Sequence, residues 1–478
     1  MSYPSRPADL PPTVNCPYCL SHIDTSRARS VIRNIATQEV VDDVTDAVRR
    51  RGLLGVASYD RGNIYLECRR EVRLDLVQGE YDYPGTADPL DDMTTVVMNR
   101  PGEDSPTAAF TDGIGFDDPE EDESAGPSPF SLADDADEDG DGWESTTGAQ
   151  PSPPLPPPAD ENELPEPHYI PYEYCQVRRT LNIGLIGTSS SGKSHLLAAM
   201  LYRMQEEEER LAELGLKVEP FAEMWEYYVQ REDIAGFFAP DRRTVLRRTS
   251  RNDPVEFRMA YTVTSTWTGE ETYVVSFFDV AGELFLDSKA RSRLQFIYGL
   301  DAYIFVADGQ ALYGWGGKRR GLRHPSGFSN VINKLRQNER LVARAKGKTP
   351  QNPLPQPAVV VLAKADLLLA QKEYWVSRWL ELDDDFVLKT VDEESEDVYV
   401  YCATNGAREW LYPVNAFEDV TLHFASATGC EEQDGHYNKR KFRHMRVLRP
   451  LLSLFAMTGL IDPKTINHAY VKGVREPL

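Results

Sequence analysis

The sequence predicts an α/β fold, in which helices cover both faces of a mostly parallel sheet. The main observation is an apolar, strand-like run, residues 181–186, which leads through a glycine-rich loop into a helical run, residues 195–201. Further apolar runs follow, and three of them end in a polar motif. Because the carboxyl ends of parallel strands meet at one edge of a sheet, we expect these motifs to lie together.

Apolar runs and turn signals assign the elements in order. The second and third predicted strands are close enough in sequence to pair as an antiparallel hairpin within the sheet. A helix is expected from the glycine-rich loop to about Leu214, and a closing helix over residues 447–457, where leucines recur with helical spacing. The predicted strands are residues 181–187, 255–266, 272–279, 302–307, 358–363 and 420–425.

The glycine-rich loop, residues 187–194, fits the pattern G-x-x-x-x-G-K-[ST] of the phosphate-binding P-loop. Small residues let backbone N–H groups turn toward a phosphate, and the helix N-terminus adds partial positive charge. Lys193 would reach the β- and γ-phosphates, and Ser194 would help to hold Mg²⁺. A chance Ser/Gly turn is the alternative, but the flanking strand and helix favour a nucleoside triphosphate site. The residues expected to contact it are Gly187, Ser189, Ser190, Ser191, Gly192, Lys193, Ser194 and His195.

The second motif, Asp-x-x-Gly, begins at Asp279, where a β-rich run ends. A carboxylate at that position suits contact with Mg²⁺ through water, and the N–H of Gly282 could face a γ-phosphate. Asp-x-x-Gly alone is weak evidence, because most examples are ordinary turns. The third motif is Ala-Lys-x-Asp, with Lys364 and Asp366, and the fourth is Ser-Ala-Thr, which begins at Ser426.

These four motifs, in this order, resemble those of the translation-factor and Ras-like GTPases, the TRAFAC class of P-loop GTPases. The resemblance covers about residues 180–460 and implies a Ras-like P-loop GTPase sheet that binds GTP with Mg²⁺. It implies that Asp366 pairs with the guanine N1 and N2 hydrogens, a charge-assisted contact that adenine cannot make. The stem of Lys364 would stack on the base, and the backbone N–H of Ala427, after Ser426, would contact the guanine oxygen.

Two positions depart from that family pattern. Ala363 stands where the family has Asn or Thr, so a hydrogen bond that braces the loop is missing. Glu283 stands where Ras-like enzymes carry the glutamine that orients the attacking water. Its carboxylate could accept a hydrogen bond from that water but would repel the γ-phosphate, so we expect slow GTP hydrolysis.

The segment before the second strand should carry the switch-one threonine, which contacts Mg²⁺ in the triphosphate state of the family. Thr249 is the first candidate and Thr244 the second. Arg247 and Arg248 could supply an arginine finger in cis, as in heterotrimeric G-protein α subunits. A solvated basic loop is the alternative interpretation of these arginines.

The N-terminal part contains a Cys-Pro-x-Cys turn, Cys16 to Cys19, which aims two thiolates at one tetrahedral metal ion, usually Zn²⁺. Cys68 is the natural third ligand, and the fourth could be His22 or Cys175. A redox dithiol and a ribbon that has lost its metal are the alternatives. With the GTPase motifs, this zinc-ribbon-like unit resembles the bacterial double-GTPase group, often encoded beside conflict or signalling systems.

Most of the net charge of −24 comes from one segment. Residues 101–167 contain 20 Asp or Glu, 13 Pro and no Lys or Arg. Such a composition predicts a disordered acidic linker, because it cannot bury enough apolar surface to offset the ordering entropy. The expected organisation is a disordered tail (1–13), the zinc-ribbon-like unit (14–100), the linker (101–170) and the P-loop GTPase domain (171–478).

The remaining composition bears on location and partners. There is no run of about 18 apolar residues and no secretory leader, so we expect a cytoplasmic protein without a transmembrane segment. Its six cysteines would be thiols or metal ligands. The basic clusters lack interleaved aromatic residues, which argues against nucleic acid. No second P-loop is present, so the expected partners are proteins, and a partner GTPase would be another chain.

Three functions follow from these motifs. The leading hypothesis is a regulatory GTPase whose switches are ordered by Mg²⁺-GTP and released on slow hydrolysis. The second is a pseudo-GTPase scaffold, in which GTP is structural and the N-terminal unit and linker recruit partners. An ATP-using P-loop enzyme is the third, which the Ala-Lys-x-Asp and Ser-Ala-Thr motifs disfavour.

Overall fold

The computed structural model describes residues 9–18, 20, 22–34, 37, 39–57, 60–69, 167–221, 234, 236–238, 245–246, 255–280, 297–312, 327–369, 374–382, 384–433 and 435–466. The chain divides into two compact units, Met1–Arg70 with Pro165–Leu478, and Glu71–Leu164. The second unit lies outside the described residues. So do several predicted site residues, namely Cys19, Thr244, Arg247, Arg248, Thr249, Gly282 and Glu283.

The N-terminal part of the first unit contains a hairpin and a small antiparallel sheet. The hairpin pairs β1 (Thr13–Asn15) with β2 (His22–Asp24). The sheet has the order β4-β3-β5-β6. Its last strand begins inside the segment assigned from sequence to the linker. The elements are β3 (Ser30–Arg33), β4 (Val40–Asp43), α1 (Thr45–Arg51), β5 (Ile64–Cys68), β6 (His168–Pro171) and α2 (Tyr172–Gln176).

A mixed sheet of seven strands, flanked by helices, forms the centre of this unit and confirms the α/β class. The strand order is β13-β12-β11-β7-β10-β9-β8; the first five run parallel to one another, β9 pairs antiparallel with β10, and β8 pairs antiparallel with β9. The strands are β7 (Arg179–Ile186), β8 (Leu216–Pro220), β9 (Val255–Ser265), β10 (Glu271–Val280), β11 (Ala302–Asp308), β12 (Ala358–Ala363) and β13 (Val420–Phe424). A short hairpin, β14 (Glu432–Gln433) and β15 (His436–Tyr437), follows them.

The burial of the parallel strands explains why they could be predicted from continuous apolar runs in the sequence. Every residue of β12 and of β13 is buried, which is typical of parallel strands covered on both faces. Strand β8 escaped prediction because it is a short edge strand with exposed Lys217 and Glu219, and charge at an edge discourages pairing with other chains. The antiparallel hairpin of β9 and β10 was predicted correctly.

Helices cover both faces of the sheet, and alternate residues of each strand enter two hydrophobic clusters. Val359 and Val361 face the cluster that contains α3 and the closing helix, whereas Val360 and Leu362 face the one that contains α5. The helices are α3 (Lys193–Glu206), α4 (Glu208–Glu213), α5 (Phe328–Ala345), α6 (Ala365–Leu369), α7 (Tyr374–Leu382), α8 (Val391–Thr404), α9 (Tyr412–Ala416) and α10 (Arg449–Thr458).

One helix prediction was too simple. The helix expected to run to about Leu214 breaks at Glu207 into α3 and α4. The break falls within the run of glutamates 206–209, where like charges three positions apart disfavour a continuous helix. Among the described residues, no helix combines the length and the apolar character that crossing a membrane requires.

Candidate functional site

The glycine-rich loop joins the carboxyl end of β7 to the start of α3. Gly192 caps the helix at φ 95°, in the left-handed region that glycine adopts without strain. Gly187 has no room for a side chain, because a Cβ atom there would lie 2.4 Å from the carbonyl oxygen of Val306. Local backbone geometry therefore requires glycine at both ends of the loop.

Lys193 turns back over this loop. Its side chain is only 7% exposed, and Nζ donates hydrogen bonds to the carbonyl oxygens of Gly187 (2.9 Å) and Thr188 (3.0 Å). The hydroxyl of Ser191 is buried inside the loop and has no hydrogen-bond partner among the residues that the structure describes. A buried cation beside an unsatisfied hydroxyl makes the loop suited to an anion.

Ser194, in the first turn of α3, meets the neighbouring strand. Its hydroxyl donates a short hydrogen bond to the carboxylate of Asp279, which is fully buried near the end of β10. Asp279 pairs in register with Leu185, so β10 brings this carboxylate beside the start of the loop. A hydroxyl and a carboxylate in contact next to an anion site are oxygen ligands of the kind that Mg²⁺ prefers.

Lys364 connects the third motif to the glycine-rich loop. It follows β12 with φ 55°, and its Nζ lies 3.0 Å from the carboxylate of Asp308 and 3.1 Å from Oε1 of Gln310. Its stem runs beside Gly192, where a Cβ atom would lie 3.8 Å from Cε. Asp308 was missed by sequence reasoning, although it ends an apolar strand as the predicted motif residues do.

Asp366 and Ser426 meet across the ends of β12 and β13. The Ser426 hydroxyl donates a 2.5 Å hydrogen bond to Oδ1 of Asp366 and accepts one from the backbone N–H of Gly429 (2.9 Å). Burial raises the pKa of Asp366, and the hydrogen bond from Ser426 partly offsets that effect. The serine therefore holds the carboxylate in place and favours its charged form. Ala427 follows directly, partly buried.

The ring of His195 lies in an aromatic cluster with Phe237 and Tyr437. Its Nε2 accepts a hydrogen bond from the backbone N–H of Leu246 at 3.3 Å. Burial lowers the pKa of His195 to about 4, so the ring is neutral at pH 7. Its contribution to anion binding would come from its backbone N–H, which lies in the first turn of α3 and has no intrahelical acceptor.

A second group of interest lies in the N-terminal part. Cys16, Cys68 and His168 each place a ligand atom within 4.8 Å of the other two. Cys16 and Cys68 were predicted from sequence, whereas His168 was missed because it lies 100 positions after Cys68. The only available signal was its place at the start of a strand-like run after the acidic segment. The group includes neither His22 nor Cys175.

No protein-family model matches the chain, and no curated protein is similar enough to count as a match.

Proposed function

We propose that this protein is a P-loop GTPase of the TRAFAC class, a Mg²⁺-dependent GTP-binding switch that hydrolyses GTP slowly. One observation carries the proposal: the residues of four separate motifs gather at the carboxyl ends of the parallel strands of one mixed sheet. Lys193 and Ser194 follow β7, Asp279 lies at the end of β10, and Asp366 and Ser426 follow β12 and β13. This edge is where open α/β sheets bind ligands.

The loop supports a triphosphate as the ligand. Lys193 holds its ammonium group against the loop carbonyls, so phosphate oxygens would take over those hydrogen bonds when the ligand enters. The first-turn N–H groups of α3 point toward the same space. Mg²⁺ would neutralise charge on the phosphates, and Ser194 and Asp279 would hold it.

The pair of Asp366 and Ser426 supports guanine as the base. A carboxylate fixed by one hydroxyl can still accept hydrogen bonds through its other oxygen. Guanine presents two adjacent donors, N1–H and the N2 amine, whereas adenine presents an acceptor at N1. Lys364 runs between this pair and the glycine-rich loop, as expected of a side chain that packs against the bound nucleoside.

The nucleotide-bound scaffold is the second candidate, and Ala363 favours it. Its methyl group is buried and cannot donate the bracing hydrogen bond of the family. In this chain the side chains of Asp308 and Gln310 instead bind the ammonium group of Lys364. The two candidates agree on GTP binding and differ in turnover.

Calorimetric titration of the full-length protein with GTP and ATP, in the presence of Mg²⁺, tests the proposal. We expect GTP to bind much more tightly than ATP. Lys193→Ala should weaken GTP binding at least about 100-fold, because several charge-assisted contacts of about 1.5–3 kcal/mol each are lost. Lys217→Ala, at an exposed lysine on β8, is the matched control and should bind as the parent does. Equal affinity for ATP would reject the guanine site, and tight GTP binding by Lys193→Ala would reject the loop as the phosphate site.

A further inference from the structure

We infer that Cys16, Cys68 and His168 form a metal site for a borderline-soft divalent cation such as Zn²⁺, and that this site joins the two ends of the segment 69–167, which contains the acidic run. The thiol of Cys16 lies 3.6 Å from Nδ1 of His168. Zn–S and Zn–N bonds of about 2.3 and 2.0–2.1 Å at a tetrahedral angle place sulfur and nitrogen about 3.6 Å apart. Cys16 and His168 therefore already have the spacing that the metal requires, and the ligand atom of Cys68 lies within 4.8 Å of both.

The fold sets this arrangement through three elements. Cys68 ends β5 and His168 begins β6, and the two residues are direct partners in the antiparallel register. Cys16 begins the turn that closes the hairpin of β1 and β2, and Leu20 N–H bonds to the Cys16 carbonyl oxygen at 2.8 Å across that turn. The ligands therefore come from backbone positions that regular hydrogen bonding holds in place.

The burial of both thiols favours a metal site over a catalytic Cys–His pair. Cys16 is 0% exposed and Cys68 is 2% exposed, so neither thiol can reach a substrate as a nucleophile. His168 is partly buried, and its ring packs at a tilt of 35° against that of Tyr18, which lies in the same turn as Cys16, with centroids 5.3 Å apart. Two buried thiols with an imidazole in reach are the soft ligands that select Zn²⁺ over Mg²⁺ or Ca²⁺. Cys19, which the Cys-Pro-Tyr-Cys spacing also predicts as a ligand, lies outside the described residues.

The site has a mechanical consequence, because residues 69–167 lie between two of its ligands. Bringing the ends of so long a segment together costs chain entropy, and a metal bound to both ends offsets that cost. The metal would thus keep β6 paired with β5, and hold the N-terminal hairpin against them.

Metal analysis of the full-length protein, purified under reducing conditions with Zn²⁺ supplied, tests the site. We expect about one Zn²⁺ per chain in the parent. Cys16→Ser, Cys68→Ser and His168→Ala should lose it on dialysis against a chelator. His22→Ala and Cys175→Ser are the matched controls and should keep it. Metal retained by His168→Ala, or a parent without metal, would each overturn the inference.

A rescue variant separates a ligand from a residue that only packs. His168→Cys should bind about one metal ion per chain, and its Co²⁺ form should show a thiolate-to-cobalt band about a third to a half stronger than the parent's, because one thiolate is added. An unchanged band, or loss of metal in this variant, would mean that His168 is not a ligand.

Hydrogen exchange tests the mechanical consequence. Chelation of the parent should reduce amide protection in β5 and β6 at least tenfold, whereas β12 and β13 should keep theirs. Equal protection with and without metal would show that the site does not hold the two strands together.

Discussion

Asp366 and Ser426 show how one hydrogen bond can decide a specificity at the scale of single residues. Burial raises the pKa of the Asp366 carboxyl, and the Ser426 hydroxyl opposes that rise. The same hydroxyl ties the carboxylate to the backbone of Gly429. The serine therefore favours the charged form of the Asp366 carboxylate and fixes its orientation. This carboxylate is the group expected to contact the base.

Replacing Ser426 with Ala should weaken GTP binding by about 10- to 100-fold, because a hydrogen bond to a charged group is worth about 1.5–3 kcal/mol. The pKa of Asp366 should rise further, because the largest effect that lowers it is removed while burial still raises it. The loss of GTP affinity on acidification should then begin at a higher pH than in the parent. Titrations across a pH series measure both effects.

The control for this change is Thr404→Ala, which removes a threonine hydroxyl at the end of α8 that bonds only to backbone and Asn405 within the same turn. It should leave the pH profile of GTP binding unchanged. Parent-like affinity and pH dependence in Ser426→Ala would show that Asp366 is positioned without the serine.

Turnover depends on residues outside the described ranges and remains a prediction from sequence. With Glu283 in the glutamine position, the purified protein should hydrolyse GTP at a rate on the order of 10⁻⁴ to 10⁻² s⁻¹. Glu283→Gln should be faster if repulsion of the γ-phosphate limits the rate. Replacing Arg247 and Arg248 with Ala should slow hydrolysis without changing GTP affinity if either acts as a finger.

Single-turnover hydrolysis at saturating Mg²⁺ measures all three proteins. The same rate in the parent and in both variants would leave neither group a catalytic role. The scaffold would then be the better description of the protein.

At the scale of elements, a buried charge cluster holds the end of β13 in place. Glu394 of α8 is fully buried and accepts hydrogen bonds from Arg446 (2.7 Å) and Arg449 (2.6 Å) and from the backbone N–H of Phe424 (3.1 Å). His423 lies 3.1 Å from the same carboxylate. The cluster thereby links α8, the end of β13 and the start of α10. The last residue of β13, Phe424, lies two residues before Ser426.

Electrostatics sets the charge state of this cluster. Burial alone would raise the pKa of Glu394, but Arg446, His423 and Arg449 outweigh it, and its pKa lies well below the usual range. Burial lowers the pKa of His423, although Glu394 opposes that shift. The carboxylate is therefore charged at neutral pH, and its stabilising effect is lost only as the pH falls through its folded-state pKa.

Replacing Glu394 with Gln should lower the free energy of unfolding by about 3–5 kcal/mol at pH 7, because two buried guanidinium groups lose their shared counter-charge. The difference from the parent should shrink below about pH 4, where the parent's carboxyl begins to be protonated in the unfolded state. Denaturant unfolding at several pH values measures this.

Glu393→Gln is the matched control for that variant. Glu393 is half-exposed and pairs with Arg378 at the surface, so its replacement should cost at most about 1 kcal/mol. Equal stability of the two variants would show that the cluster adds nothing beyond a surface ion pair.

At the scale of the whole molecule, the metal site and the nucleotide site lie near opposite ends of β7 in the main sheet. Asn15, next to Cys16, donates a 3.3 Å hydrogen bond to Thr180 near the start of β7. The glycine-rich loop begins after the other end of that strand. The eight residues of β7 have seven spacings of about 3.3 Å, which separate the two ends of the strand by about 23 Å.

Effects at sites so far apart should be additive. The rise in thermal midpoint on adding Mg²⁺-GTP should therefore be the same in the parent and in His168→Ala, within about 1 °C. Thermal unfolding with and without nucleotide tests this. A smaller rise in the variant would show that the metal site and the nucleotide site are coupled through the sheet.

The sequence by itself determined the α/β class, six of the seven strands as apolar runs, the hairpin of β9 and β10, and the glycine-rich loop between β7 and α3. These features depend on local patterns: continuous apolar runs predict buried strands, and a glycine-framed loop follows from backbone geometry. The site residues could be named in advance because they lie beside these patterns. Asp279 lies at the end of an apolar run, and Asp366 and Ser426 follow shortly after one. Lys193 and Ser194 end the glycine-framed loop.

Only the tertiary structure decided which distant residues meet. Asp308 beside Lys364 and Glu394 between two arginines depend on strand order and helix packing, which no local pattern records. His168 is the clearest case, because strand register brings it opposite Cys68 across 100 residues of sequence. A short edge strand such as β8 also stayed hidden, since its alternation of charged and apolar residues resembles that of an ordinary exposed segment.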